Sequence, residues 1–128
     1  MKNNLKLVVL DGEYAVHRFS PTQEIPSSVL EGSFLSITRT DDELSILCDA
    51  EISVSSEKSE ADWVCIKVLG PLDFGLTGIL ARIAGVLAEA EISIFAISTY
   101  DTDYIFVKKE KLATAQKALE QAGYIFEN

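Results

Sequence analysis

Two short clusters carry most of the chain's potential for chemistry. The first is Gly70-Pro71-Leu72-Asp73-Phe74-Gly75-Leu76-Thr77, which follows an apolar run ending at Leu69 and precedes a periodic apolar segment. A strand, a Gly/Pro turn and a helix opening near Gly75 would leave backbone N–H groups aimed into the turn, suited to a small anion. The two glycines and Thr77 match the spacing of a phosphate loop, but Leu76 stands where the phosphate-binding lysine is required. The dinucleotide glycine fingerprint is absent as well. Two readings of the stretch stand side by side: a ligand cradle, or a purely structural turn in which Pro71 stiffens the chain, Asp73 caps the helix, and Gly75 and Gly78 permit close packing.

The second cluster is Ser98-Thr99-Tyr100-Asp101-Thr102-Asp103-Tyr104. Asp-Thr-Asp suits a tight turn, yet the cluster holds more hydrogen-bonding groups than a turn needs. In a ferredoxin-like sheet the end of the first strand and this hairpin need not be adjacent, so joint use of both clusters calls for a neighbouring unit or chain.

Other chemistry has little support. His17 is the sole histidine and nothing in the spacing pairs it with a nucleophile. Cys48 and Cys65 sit within apolar runs and read as reduced core thiols, matching no metal-ligand spacing. The sequence calls for no cofactor and no enzyme activity.

The elements that must position these groups follow from periodicity. Leu5–Leu10 and Tyr14–Phe19 flank Asp11-Gly12 and read as a β-hairpin. Pro21 and Pro26 then interrupt, and Ser27–Glu31 has room for a turn or two of helix, with Ser27 or Ser28 as N-cap. Phe34–Thr38 and Leu44–Cys48 form a second hairpin, and Ile52 and Val54 suggest one more strand. The polar stretch Ser55–Glu60 is the best candidate for a domain boundary, dividing residues 1–59 from 60–128.

The second half reads more cleanly. Trp63–Leu69 is a strand, and Leu76, Ile79, Leu80, Ile83, Val86 and Leu87 fall at helical spacing. Strands at Ile92–Thr99 and Tyr104–Lys108 come next, then a helix from Leu112 to about Ala122 stopped by Gly123, then Tyr124–Phe126. Strand, helix, strand, strand, helix, strand is the split βαβ, or ferredoxin-like, order. The predicted fold is therefore α+β: two ferredoxin-like units in tandem, the N-terminal one reduced, with antiparallel sheets and helices on one face.

At 128 residues, with 48% hydrophobic and 24% charged residues, the chain has an ordinary globular composition. Its formal net charge of −9 argues against nucleic acid and anionic membrane surfaces as partners. No apolar segment has the length of a signal peptide or a membrane span, and a cytoplasmic location is expected.

Gly70-Pro71-Leu72-Asp73-Phe74-Gly75-Leu76-Thr77-Gly78-Ile79-Leu80, followed by Ile97-Ser98-Thr99-Tyr100-Asp101-Thr102-Asp103-Tyr104, resembles the ACT domain family. The similarity is to the branch of small tandem ACT proteins related to the cytosolic arginine sensors of animals. Gly12–Phe19 and Ser33–Thr38 resemble the degenerate first repeat of the bacterial members. The resemblance implies a regulatory module that binds an amino acid or similar zwitterion between ACT units, in a homodimer.

Carried onto this chain, the loop from Gly70 to Gly75 and Asp103 are the implied ligand contacts. The chemistry fits: a ligand carboxylate suits the helix start near Gly75 and Leu76 with Thr77 as a hydroxyl donor. An ammonium suits Asp103, with Asp73 or Asp101 in support and Ser98 and Thr99 beside them. The rival reading is an assembly module that binds a protein partner and no metabolite.

Overall fold

The structure is a computed structural model and describes residues 5–70 and 77–127. The strands are β1 (Lys6–Val9), β2 (Tyr14–Phe19), β3 (Leu35–Arg39), β4 (Leu44–Asp49), β5 (Lys58–Val68), β6 (Ile94–Ser98), β7 (Asp103–Lys108) and β8 (Ile125–Glu127). The α-helices are α1 (Ile79–Glu89) and α2 (Leu112–Gln121), with short 3-10 turns at Ser27–Glu31 and Lys109–Lys111. The chain divides into two compact units, one formed by residues 1–11 and 64–128, the other by residues 12–63.

In the first unit the strands pair in the order β8, β1, β5, β7, β6. From β5 onward the elements follow the ferredoxin-like sequence, but β1 lies between the strands that open and close it. β1 pairs antiparallel with β5, placing Leu7 opposite Val68, and parallel with β8, placing Leu7 opposite Phe126. The expectation of purely antiparallel sheets is thus corrected. A strand entering from the N-terminus fills the slot beside β5, so β8 closes on β1 in the same direction.

Alternation along β5 turns Val64, Ile66 and Val68 to one face, and β7 contributes Ile105 and Val107 to the same cluster. Onto it α1 lays Ile79, Ile83 and Leu87, spaced one turn apart, and α2 lays Ala115 and Leu119. Each large side chain buried this way contributes about 1.5–3 kcal/mol. Phe106 is fully buried and stacks on Phe95 at 4.8 Å between ring centroids.

The second unit pairs β5, β2, β4 and β3 in that order, with β2–β5, β2–β4 and β3–β4 all antiparallel. Counting β2 as first, this is the strand order 4-1-3-2 of the split βαβ unit. The helix expected between the first two strands is the 3-10 turn, and the second crossover is the non-helical segment of residues 50–57. The N-cap of the 3-10 turn is Pro26, without a side-chain cap, rather than Ser27 or Ser28. Ile52 and Val54 form no strand; they pack on the cluster of Phe19, Val29, Leu44, Ile46 and Cys48.

The β3–β4 hairpin forms as expected, with Ile37 opposite Ile46. The β1–β2 hairpin does not. β1 pairs with β5 and β8, while β2 pairs with β4 and β5. Asp11-Gly12 is a good reversal signal, but the eleven-residue β5 offers each flanking strand a longer partner than the other strand could. The register of β2 on β5 slips between Tyr14–Trp63 and Val16–Glu60, a bulge that Asp62 accommodates at φ 67.

Both cysteines are free and buried. Burial pushes the Cys65 thiol up to about 12, and burial with the neighbouring Asp49 raises that of Cys48. Neither is a nucleophile near neutral pH.

His17 is 7% exposed, its Nδ1 lies 2.9 Å from Ser56 Oγ, and burial lowers its pKa from 6.5. The unfolded chain therefore takes up a proton near pH 6.5 that the folded chain resists. Stability from this group is complete above that pH and declines as pH falls below it, by at most about 1.4 kcal/mol per pH unit. Thermal melts across pH 7.5 to 5.5 are expected to show a smaller decline for His17→Gln than for the wild type. Parallel declines would remove His17 as the cause.

Candidate functional site

The site builds from the C-terminal end of β5. Among the predicted residues, Leu72, Asp73, Phe74, Gly75 and Leu76 lie outside the described residues, as does Pro71. Gly70, Thr77, Ser98, Thr99, Asp101 and Asp103 are described.

The helix begins later than expected. Its N-cap is Gly78 and its first residue Ile79; the expected roles of Asp73 as cap and Gly75 at the opening fall on residues outside the described ones. Gly78 adopts φ 76, a left-handed conformation that costs glycine little and ends the helical path on its N-terminal side. Among the described residues no side chain caps the helix. Its first-turn N–H groups point toward the residues that precede them, as an anion site requires.

Arg82, absent from the sequence-based site, stands one turn into α1. Its backbone N–H donates to the Gly78 carbonyl at 2.9 Å, and its guanidinium donates to the Thr77 carbonyl at 3.4 Å. This returns the side chain toward the helix start and adds a cation there. Arg82 is four residues beyond Gly78 and so shares its helix face, a signal that counts only once Gly78 is known to start the helix.

The turn between β6 and β7 is tied internally. Thr99 N–H donates to the Thr102 carbonyl at 2.8 Å, and the Thr99 hydroxyl donates to the same oxygen at 3.1 Å. The Ser98 hydroxyl donates to the Asp103 carboxylate. Asp103 is half-buried, whereas Tyr100 is 81% exposed and Asp101 is exposed.

Thr102 enters the sequence reading as a turn residue and within the ACT-like motif, without a role of its own, and its role is larger. It is 4% exposed, and its hydroxyl donates to the Val68 carbonyl at 2.6 Å. The sequence left open whether the second cluster meets the end of β5 within one unit; in the structure it does. β7 pairs with β5, and Thr102 fastens the Ser98–Asp103 turn to the residue two before Gly70. A hairpin turn beside an internal strand's end has to satisfy a carbonyl there, and a buried threonine does so.

Gly70, Ser98, Thr99 and Asp103 are therefore drawn to one end of one unit. Thr77 lies at the start of α1 with Arg82 folded back on it, and Asp101 faces solvent. The arrangement provides helix N–H groups and a guanidinium for a carboxylate, and a hydrogen-bonded aspartate for a cation. Among the described residues no group of three His, Cys, Asp or Glu side chains is placed to hold a metal ion, and no helix is long and apolar enough to cross a membrane.

Comparison with known proteins agrees with this architecture. The family model described as ACT domain matches residues 58–121, and a second model, of an N-terminal domain, matches residues 12–57. The human cytosolic arginine sensor for mTORC1 subunit 1 is 31% identical over 105 residues. That alignment takes in 75% of this chain but 31% of the sensor, so the chain spans about a third of the length of that relative.

Among solved structures, protein Atu0741 of Agobacterium tumefaciens superposes with a TM-score of 0.90 at 36% identity, covering 98% of this chain and 93% of that one. The regulatory subunit of aspartate kinase from Thermus thermophilus shares the fold at a TM-score of 0.62 and 12% identity, covering 87% of this chain and 93% of that one. With half of its length matched by the family model and the strand order of the split βαβ unit, the chain belongs to the ACT domain family.

Proposed function

We propose that this protein is a regulatory module that binds an amino acid between ACT units. In this reading residues 60–128 are an ACT domain whose sheet β1 completes, and the rest of residues 1–59 a reduced one in tandem, acting without catalysis, in the cytoplasm, as a homodimer. The observation that supports a ligand site is the Thr102 bond to Val68, which within one unit brings the carboxylate-bearing turn to the strand end that precedes the glycine-rich stretch; in this reading a neighbouring ACT unit closes the site. The sensor named above supports a metabolite as ligand, and the aspartate kinase subunit supports the regulatory role. The strand order of residues 12–63 supports the tandem arrangement.

The roles divide by charge. The ligand carboxylate takes the N–H groups at the start of α1, with Thr77 and Arg82 beside them and Gly70, Leu72, Asp73, Phe74, Gly75 and Leu76 as the adjoining wall. The ammonium takes Asp103, with Ser98 and Thr99 fixing the turn and Asp101 at its rim.

Calorimetry and thermal shift with a panel of the common amino acids test this. At ligand concentration tenfold above Kd, stabilisation of about 1.4 kcal/mol is expected. Asp103→Asn should remove that response while leaving the unliganded melting temperature nearly unchanged. No response from any amino acid in the millimolar range defeats the ligand claim, and a response unaffected by Asp103→Asn moves the site elsewhere. Sedimentation of the same samples checks the dimer.

A further inference from the structure

The second unit holds a cleft that the proposed site does not use. It has a volume of about 470 Å³ and is lined by residues 16–18 of β2, by Glu43 and Ser45, and by residues 58–60 of β5. This lies within the roughly 300–1,000 Å³ range of small-molecule sites.

Register explains how the cleft arises. Arg18 on β2 stands opposite Ser45 on β4 and opposite Lys58 on β5, so a hydroxyl and two cations form one row across three strands. The next row on that face is Leu47, Val16 and Glu60. His17 and Ser59 alternate to the other face, where His17 meets Phe19 and Ser56.

Placing two cations directly across a strand pair is unfavourable. In a chain with 20 acidic residues a carboxylate between them would be the ordinary remedy. Arg18 has one: its Nη1 meets Glu57 Oε1 at 2.5 Å, and its Nη2 donates to the Asp42 carbonyl at 3.1 Å. Those two contacts fix the guanidinium. Lys58 has no ion pair among the described residues, and neither does the Glu43 carboxylate across the cleft.

A cation and a carboxylate left apart at opposite sides of one cleft, with a serine hydroxyl between strands, complement a molecule carrying both charges. A dianion would meet Lys58 and Arg18 but also Glu43 and Glu60. A simple cation would leave Lys58 unanswered.

We propose that this cleft is a second site for a small zwitterion, contained in one unit of one chain. The ligand carboxylate lies against Lys58, Arg18 and the Ser45 hydroxyl, and its ammonium against Glu43. The inference does not depend on the residues around α1, so either site can fail without the other.

Amide-resolved NMR of the full chain tests it, with L-alanine, L-glutamine and L-arginine as probes and the N-acetylated and C-amidated forms of each as controls. Saturable shifts are expected at Val16–Arg18, Ser45 and Lys58–Glu60, separate from any at Ser98–Asp103. Removing either end charge of the probe, or introducing Lys58→Glu, should weaken them about tenfold, the worth of one charge-assisted hydrogen bond. The melting temperature of Lys58→Glu should stay near that of the wild type, since Lys58 is exposed. The proposal is overturned if these amides show no saturable shift, if sodium chloride at equal ionic strength reproduces the shifts, or if the capped probes bind equally well.

Discussion

A fragment beginning at Lys58 is expected not to fold cooperatively, although it contains every residue matched by the ACT model. The reason is β1. It occupies the slot between β5 and β8, with Leu10 N–H donating to the Cys65 carbonyl, Leu69 N–H to the Lys6 carbonyl, and Ile125 N–H to the Leu5 carbonyl. Without it β8 loses the one ladder it forms among the described residues, and β5 exposes one edge. Leu7 is fully buried in the cluster that α1 and α2 cover, and Leu5 and Val9 pack against that cluster.

Truncating one such leucine costs about 2–5 kcal/mol, and a domain has only about 5–15 kcal/mol in total. Losing the whole strand therefore consumes most or all of the stability. Urea titration followed by circular dichroism should give a single sigmoidal transition for the full chain and none for the fragment. Leu7→Ala in the full chain should remain folded with its midpoint clearly lowered. A cooperative transition in the fragment would mean that β8 can move over to β5 and form the sheet without β1.

The same strand marks where sequence patterning stops being informative. The helices and strands of residues 63–127 are legible because each has one buried face: Ile79, Ile83 and Leu87 repeat at helical spacing, and Val64, Ile66 and Val68 at strand spacing. Which strand neighbours which is not written in period. Leu5–Leu10 reads as a strand whether it turns back at Asp11-Gly12 or runs beside β5, and only the competition for partners decides.

In the second unit, Ile52 and Val54 alternate like a strand, yet they pack on Val29 and its neighbours as part of an irregular crossover. At the candidate site, the residue types were legible and their meeting was not. Thr102 looks like any turn threonine until β7 is placed against β5, and Arg82 looks like a solvated helix residue until Gly78 is seen to start the helix.

Thr102→Val should therefore affect both stability and ligand response. Valine keeps the shape of threonine and removes the hydroxyl that donates to Val68 at 2.6 Å in a 4% exposed position. Loss of a buried hydrogen bond at constant shape costs about 1–3 kcal/mol. Thr102→Ser keeps the donor and should lose less, chiefly through one methyl group.

The second effect follows from what the bond joins. The turn that carries Asp103 is held at the end of β5 through Thr102, so its release leaves the aspartate in place on β7 but frees the turn's approach to the strand end. Amino-acid-induced thermal shift is then expected to fall several-fold in Thr102→Val. It should persist in Thr102→Ser and in a core variant such as Ile105→Val, which lowers stability by about 0.5–1.5 kcal/mol without touching the turn. Equal ligand shifts in Thr102→Val and Ile105→Val would show that the bond serves the fold alone, and would separate the turn from the strand end as parts of one site.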